Sequence, residues 1–135
     1  MKKIFIFALF FSLGACKLIN SNKAPELDFE ELSFEEIGGF TGGSGLFTIN
    51  PDGSLYYKQD KVDDLSHEDK VYLKEILRQL RSLDDYQGEI ISIERRIVFD
   101  HKLYSWDIED PEAKAYQALY QELFNMALAY QTKAE

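Results

Sequence analysis

One cysteine, two histidines, one tryptophan and three prolines stand among 135 residues, and each shortage closes off a class of chemistry. A lone cysteine, Cys16, can form no disulfide within one chain and no cysteine-rich metal set. His67 and His101 lack the His-x-x-x-His spacing of a ligand pair, and each falls where a solvated imidazole is ordinary: the first turn of a predicted helix and a predicted turn. Positive charge is scarce, with 15 Lys and Arg against 24 Asp and Glu and a formal charge of −9. Nucleic acid and anionic lipid headgroups both require clustered Lys and Arg, so neither is an expected partner, whereas a basic partner is favoured. The apolar stretch Ile4 to Leu13 is about half as long as a membrane-spanning helix. Internal repeats and low-complexity runs are absent.

That short stretch has a different meaning in context. Lys2 and Lys3 precede it, and Leu13-Gly14-Ala15-Cys16 ends it in small residues, the plan of a cleavable secretory signal. The segment resembles a bacterial lipoprotein signal, in which Leu at −3 and two small residues precede a Cys at +1. The resemblance implies cleavage after residue 15, a diacylglycerol thioether on Cys16 and acylation of its amino group, so that the lipid bilayer is a partner through Cys16. Lys17 is not the Asp that retains many such proteins at the inner membrane, and by the same resemblance the outer membrane of a bacterial envelope is favoured.

Cleavage removes two lysines and no acid, which takes the formal charge from −9 to −11. Residues 16–135 suffice for one domain with a real core, and without disulfides that core must rely on burial. Lys17 to Glu26 has no periodicity and contains Pro25, as a tether would. Ten such residues reach at most about 36 Å extended and about 17 Å as a coil. The expected organisation is thus a signal over 1–15, lipidated Cys16 and tether over 16–26, one domain over 27–131 and a frayed tail over 132–135.

Within the domain, Leu27, Phe29, Leu32, Phe34 and Ile37 alternate imperfectly among acids, which predicts a bulged strand or two short pieces. Five glycines follow in Gly38-Gly39-Phe40-Thr41-Gly42-Gly43-Ser44-Gly45. Leu46 to Asn50 and Leu55 to Lys58 flank Asn50-Pro51-Asp52-Gly53, a turn sequence that predicts a β-hairpin. Ser66 is placed to cap a helix running to Leu80 or Leu83, with Leu73, Ile76, Leu77 and Leu80 on one face. Ile91, Ile93, Ile97 and Phe99, then Tyr104, Trp106 and Ile108, predict a second hairpin turning near Asp100-His101. Asp110, Pro111 and Glu112 read as N-cap and first turn of a last helix carrying Tyr116, Leu119, Tyr120, Leu123, Ala127 and Tyr130 at helical spacing. The expected fold class is α+β: an antiparallel sheet of about four strands in two hairpins, with two helices packed on it.

The glycine-rich segment invites a phosphate-binding reading, which its context refuses. Phosphate loops lead into a helix N-terminus, whereas Leu46-Phe47-Thr48-Ile49 leads into a hairpin, and no Gly-Lys-Ser or Gly-Lys-Thr is present. The remaining readings are a plain strand connection and a partner-contact loop exposing Phe40 and Thr41. Composition leaves Ser/His/Asp catalysis open, but no Gly-x-Ser-x-Gly elbow occurs. Glu30-Glu31, Glu35-Glu36, Asp63-Asp64 and Asp84-Asp85 could supply paired carboxylates, yet neighbours along a strand point to opposite faces. For the same reason one of Arg95 and Arg96 must lie on the apolar face of its strand, to snorkel, pair with an acid or meet a partner.

With Gly38-Gly39-Phe40-Thr41-Gly42 in place, the chain resembles the emfourins, small bacterial proteins with a Gly-Gly-Phe-Ala-Gly-like motif after the first strand, then a strand, a leucine-rich helix, a hairpin and a terminal helix. The similarity spans about Phe34 to Tyr130. This chain has Thr41 where Ala is common, an added Asn50-Pro51-Asp52-Gly53 tip and the lipid-anchor signal. Emfourins inhibit thermolysin-type metalloproteases, so the resemblance implies an inhibitor of such a metalloprotease; a chain without a catalytic constellation, and with a glycine-rich segment beside an aromatic, is expected to be a non-enzymatic binding domain that needs no cofactor or metal and contacts its partner through Gly38, Gly39, Phe40, Thr41, Gly42 and Gly43. Two other readings stay open: an envelope-associated structural lipoprotein without a protease target, and a hydrolase using carboxylates or His101.

Overall fold

The computed structural model of the protein describes residues 26–39 and 45–134. The signal over 1–15, Cys16, most of the tether, and Phe40, Thr41, Gly42 and Gly43 of the glycine-rich segment lie outside the described residues. Seven strands and two helices follow in chain order: β1 (Leu32–Gly38), β2 (Phe47–Ile49), β3 (Ser54–Tyr57), β4 (Asp60–Asp64), α1 (His67–Arg81), β5 (Tyr86–Gln87), β6 (Ile93–Phe99), β7 (Lys102–Asp107) and α2 (Lys114–Ala134). The strands form one sheet in the order β4-β3-β2-β1-β6-β7-β5. The α+β class is as expected, but the sheet is larger than four strands, and β5 pairs with β7 in parallel.

Beyond the two hairpins, β1 answers to the alternation predicted over Leu27 to Ile37, whereas β4 and β5 escaped the periodicity argument for physical reasons. β4 is Asp-Lys-Val-Asp-Asp at a sheet edge, where charge discourages pairing with other chains and only Val62 reaches the core. Its hairpin turns on Lys58 and Gln59 at φ +50° and +74°, without the Asn-Gly that usually marks such a turn. β5 is two residues long, too short for alternation to show.

The predicted hairpins hold elsewhere. Thr48 pairs with Tyr56 across the first, whose turn is closed by the Gly53 N–H donating to the Asn50 carbonyl at 2.9 Å. In the second, Ile97 pairs with Tyr104, and Asp100 and His101 turn at φ +46° and +69°. Ser66 caps α1, its hydroxyl accepting the Asp69 N–H at 3.1 Å. Two boundaries moved. Asp110 caps a turn rather than the helix, its carboxylate accepting the Glu112 N–H, and α2 begins at Lys114. At the other end α2 continues to Ala134, three residues past the expected domain end.

One face of the sheet supplies Leu32, Phe34, Phe47, Ile49, Leu55, Ile97, Phe99, Tyr104 and Trp106 to the core; α1 adds Leu73, Ile76, Leu77 and Leu80, and α2 adds Leu119, Tyr120, Leu123 and Ala127. Tyr120 sits at its centre, edge-on to both Phe34 and Trp106. Among the described residues every core residue lies between Leu27 and Ala127, so a chain beginning at Ala24 retains that core.

Arg95 is the arginine on the apolar face. Its Nε donates to Glu36 at 3.0 Å across the β1–β6 pairing, and its guanidinium lies 5.0 Å from the centre of the Tyr120 ring. Arg96 points to the other face, between Glu35 and Glu94. The adjacent acids Glu35 and Glu36 are thereby separated onto opposite faces and neutralised by different arginines, which removes them as a catalytic carboxylate pair.

Candidate functional site

β1 connects two opposite ends of the molecule, about 20 Å apart at the rise of a seven-residue strand. At its start, Leu27 and Phe29 are buried, and the Asp100 carboxylate accepts the N–H groups of Glu30 and Glu31. His101 stands exposed there, 3.3 Å from the Glu30 carboxylate. At its finish stand Gly38 and Gly39, followed on the far side of the glycine-rich segment by Gly45. The chain therefore enters the domain, at Leu27, at the end opposite the glycines.

Gly38 is held by its neighbour rather than loosely placed. It pairs with Ile93 at φ +104°, and a Cβ there would lie 2.9 Å from the Ser92 carbonyl oxygen, closer than side chains approach backbone. Gly39, at φ +77°, would meet only the tip of the Ile93 side chain, at 3.3 Å. Gly38, the last residue of the ladder and the first of the predicted contact segment, thus rests directly on the loop that precedes β6.

That loop, residues 88–92, carries the feature the sequence did not announce. Ile91 was expected inside a strand in register with Ile93; instead it lies outside β6 and is 81% exposed, with Ile90 beside it at 41%. The cause is Asp107 at the end of β7. Its buried carboxylate accepts the N–H groups of Ile91 at 3.0 Å and Ser92 at 2.7 Å through one oxygen, and that of Glu109 at 3.0 Å through the other. The carboxylate replaces a strand partner for two successive amides, so the ladder stops and the loop is fixed in another course. The same N–H donors, that of Ser92 foremost, stabilise the charged form and hold Asp107 down at about 2. The adjacency Ile90-Ile91, which breaks alternation, was the one available sequence signal.

Beside the loop opens a hollow of about 370 Å³, lined by the acidic residues Glu89, Asp107, Glu109, Asp110 and Glu112. Tyr86, Ile91 and Pro111 complete the lining, so that no lysine or arginine lines it. The Tyr86 hydroxyl donates to Asp110 at 2.7 Å, and this bond, with loss of solvent and nearby negative charge, pushes the phenol up to about 12. Neither Glu89, Glu109 nor Glu112 forms an ion pair among the described residues.

His67 begins α1 and His101 lies in the turn at the opposite end of the sheet, so the two imidazoles are not brought together. Among the described residues no group of three His, Cys, Asp or Glu is arranged to hold a metal ion, and no helix is long and apolar enough to cross a membrane. Gly38 and Gly39 are the predicted contact residues whose placement is described; Phe40, Thr41, Gly42 and Gly43 are not. No family model, no curated protein and no solved structure matches this chain.

Proposed function

We propose that this protein is a lipid-anchored, non-enzymatic binding domain of the bacterial envelope, attached through acylated Cys16, whose contact surface is the glycine end of the sheet, centred on Gly38 to Gly43. The observation that carries this reading is the pairing of Gly38 against Ser92 and Ile93 at the end away from the tether. A segment that begins from a fixed ladder is restrained at its root, which lowers the ordering cost of binding. In this reading the anchored tether enters the domain at the opposite end, at Leu27. A contact surface at the glycine end therefore faces away from the bilayer.

The resemblance to the emfourins extends the proposal to a target, a thermolysin-type metalloprotease, with the domain acting as a protein inhibitor. Titrating thermolysin with the soluble chain beginning at Ala24 tests it. Loss of proteolysis at near-stoichiometric amounts, with the domain remaining intact, is the expected result. Rapid digestion of the domain with no slowing of the enzyme would remove the inhibitor reading and leave an envelope lipoprotein with another partner.

A further inference from the structure

We infer that loop 88–92 is a second contact element, with Ile91 as an apolar anchor for a partner protein that offers an apolar socket rimmed by lysine or arginine. The inference rests on the binding-domain reading above and names the chemistry of the partner.

Isolated exposed isoleucines are ordinary on protein surfaces; one this exposed, on a loop held by a buried carboxylate, is not. Asp107 spends its hydrogen-bonding capacity on the amides of Ile91, Ser92 and Glu109, and the Ser92 hydroxyl adds a contact at 3.3 Å. Ile91 is thus displayed in a set position, and a partner that covers it gains apolar burial without ordering the loop. On one side its rim is the hollow with the unpaired carboxylates of Glu89, Glu109 and Glu112; on the other it is Gly38, whose backbone touches Ser92. The loop that carries the anchor thus adjoins the end of β1 at Gly38.

Charge selects the occupant. A second copy of this chain would bring the same carboxylates against these, and like charges oppose that contact. Anionic headgroups would be repelled in the same way. A basic rim meets three carboxylates that lack an ion pair among the described residues, beside a hollow that no lysine or arginine lines, and its approach is accelerated by the chain's net negative charge.

The test uses the chain beginning at Ala24, which keeps the core between Leu27 and Ala127, isotopically labelled for amide NMR, and a synthetic peptide in which two leucines are flanked by lysine pairs. Addition of the peptide should shift the amides of Glu89, Ile90, Ile91, Ser92, Glu109 and Glu112, more weakly at higher salt. A peptide with serines replacing the leucines should bind several-fold less tightly. Ile91→Asp should weaken binding at least tenfold and Ile91→Ser by a smaller factor, both with unchanged melting temperature because the side chain is exposed. Shifts centred on the acidic edge strand Asp60–Asp64, or Ile91→Asp binding within twofold of wild type, would overturn the inference. So would shifts at Ile90 and Ile91 produced by phosphatidylcholine vesicles and not by the peptide, which would make the loop a membrane contact. The two readings fail separately. If thermolysin is unaffected while the peptide map holds, only the inhibitor reading falls; if Ile91→Asp inhibits thermolysin as well as wild type does, the anchor falls alone.

Discussion

Replacing Gly38 by alanine should destabilise this domain out of proportion to the single methyl group added. At φ +104° an L-residue is strained by about 1–3 kcal/mol. The new Cβ would also stand 2.9 Å from the Ser92 carbonyl oxygen, a backbone atom that cannot swing aside as a side chain does. Relief requires parting β1 from β6 at that point, with loss of a ladder hydrogen bond worth about 1 kcal/mol. The sum is about 2–4 kcal/mol, or a fall in melting temperature of about 8–16 °C at about 4 °C per kcal/mol for a domain of this size. Gly39→Ala is the internal control. Its φ is also positive, but its Cβ would meet only the end of the Ile93 side chain, so about 1 kcal/mol is expected. Urea unfolding followed by circular dichroism measures both, and amide exchange at Ile91 and Ser92 should quicken in Gly38→Ala. A Gly38→Ala loss below about 0.5 kcal/mol, or a larger loss in Gly39→Ala, would refute the argument that Gly38 is locked against the loop.

Other perturbations reach different parts of the account. Because Asp107 is held at about 2, below the ordinary carboxylate value of about 3.9, its contribution to stability is full above about pH 4 and is lost as pH falls from there toward 2; amide shifts of Ile91 and Ser92 should titrate with a midpoint near 2, and a midpoint near 4 would contradict the hydrogen-bond assignment. Arg95→Ala strips the guanidinium from the Tyr120 ring and from Glu36, and partial exposure of the pair limits the expected loss to about 1–3 kcal/mol by urea denaturation. Cys16→Ser should abolish incorporation of labelled fatty acid and release from the signal at residue 15, while the domain folds with the same unfolding midpoint as the chain beginning at Ala24; continued labelling of the serine variant would contradict the anchor assignment.

What could be read from the sequence was set by how strongly burial imposes a period. α1 was legible because Leu73, Ile76, Leu77 and Leu80 repeat on one face behind a Ser66 cap, and all four are buried. The first hairpin was legible because Pro51, Asp52 and Gly53 suit its turn. β4 and β5 were not, since an edge strand of charges and a two-residue strand carry no alternation. Arg95 was foreseen as an anomaly, and the register of β1 with β6 supplied its acid partner, Glu36. At the glycine end, Gly38 and Gly39 could be singled out from the glycine run alone. Ile91 could not, because its exposure depends on Asp107, sixteen residues away, accepting amides that would otherwise extend β6. Long-range hydrogen bonding of that kind leaves in the local pattern only the broken alternation at Ile90-Ile91, which does not say that Ile91 is turned outward.

Site-directed photocrosslinking in intact cells tests the central claim most directly. A benzophenone amino acid replaces Phe40, within the proposed contact segment, or His101, exposed at the opposite end of the sheet. The account predicts a discrete protein adduct from position 40, identified by mass spectrometry as a thermolysin-type metalloprotease, and none from position 101. Adducts formed from position 101 alone, or equally from both positions, would contradict the assignment of the glycine end as the binding surface.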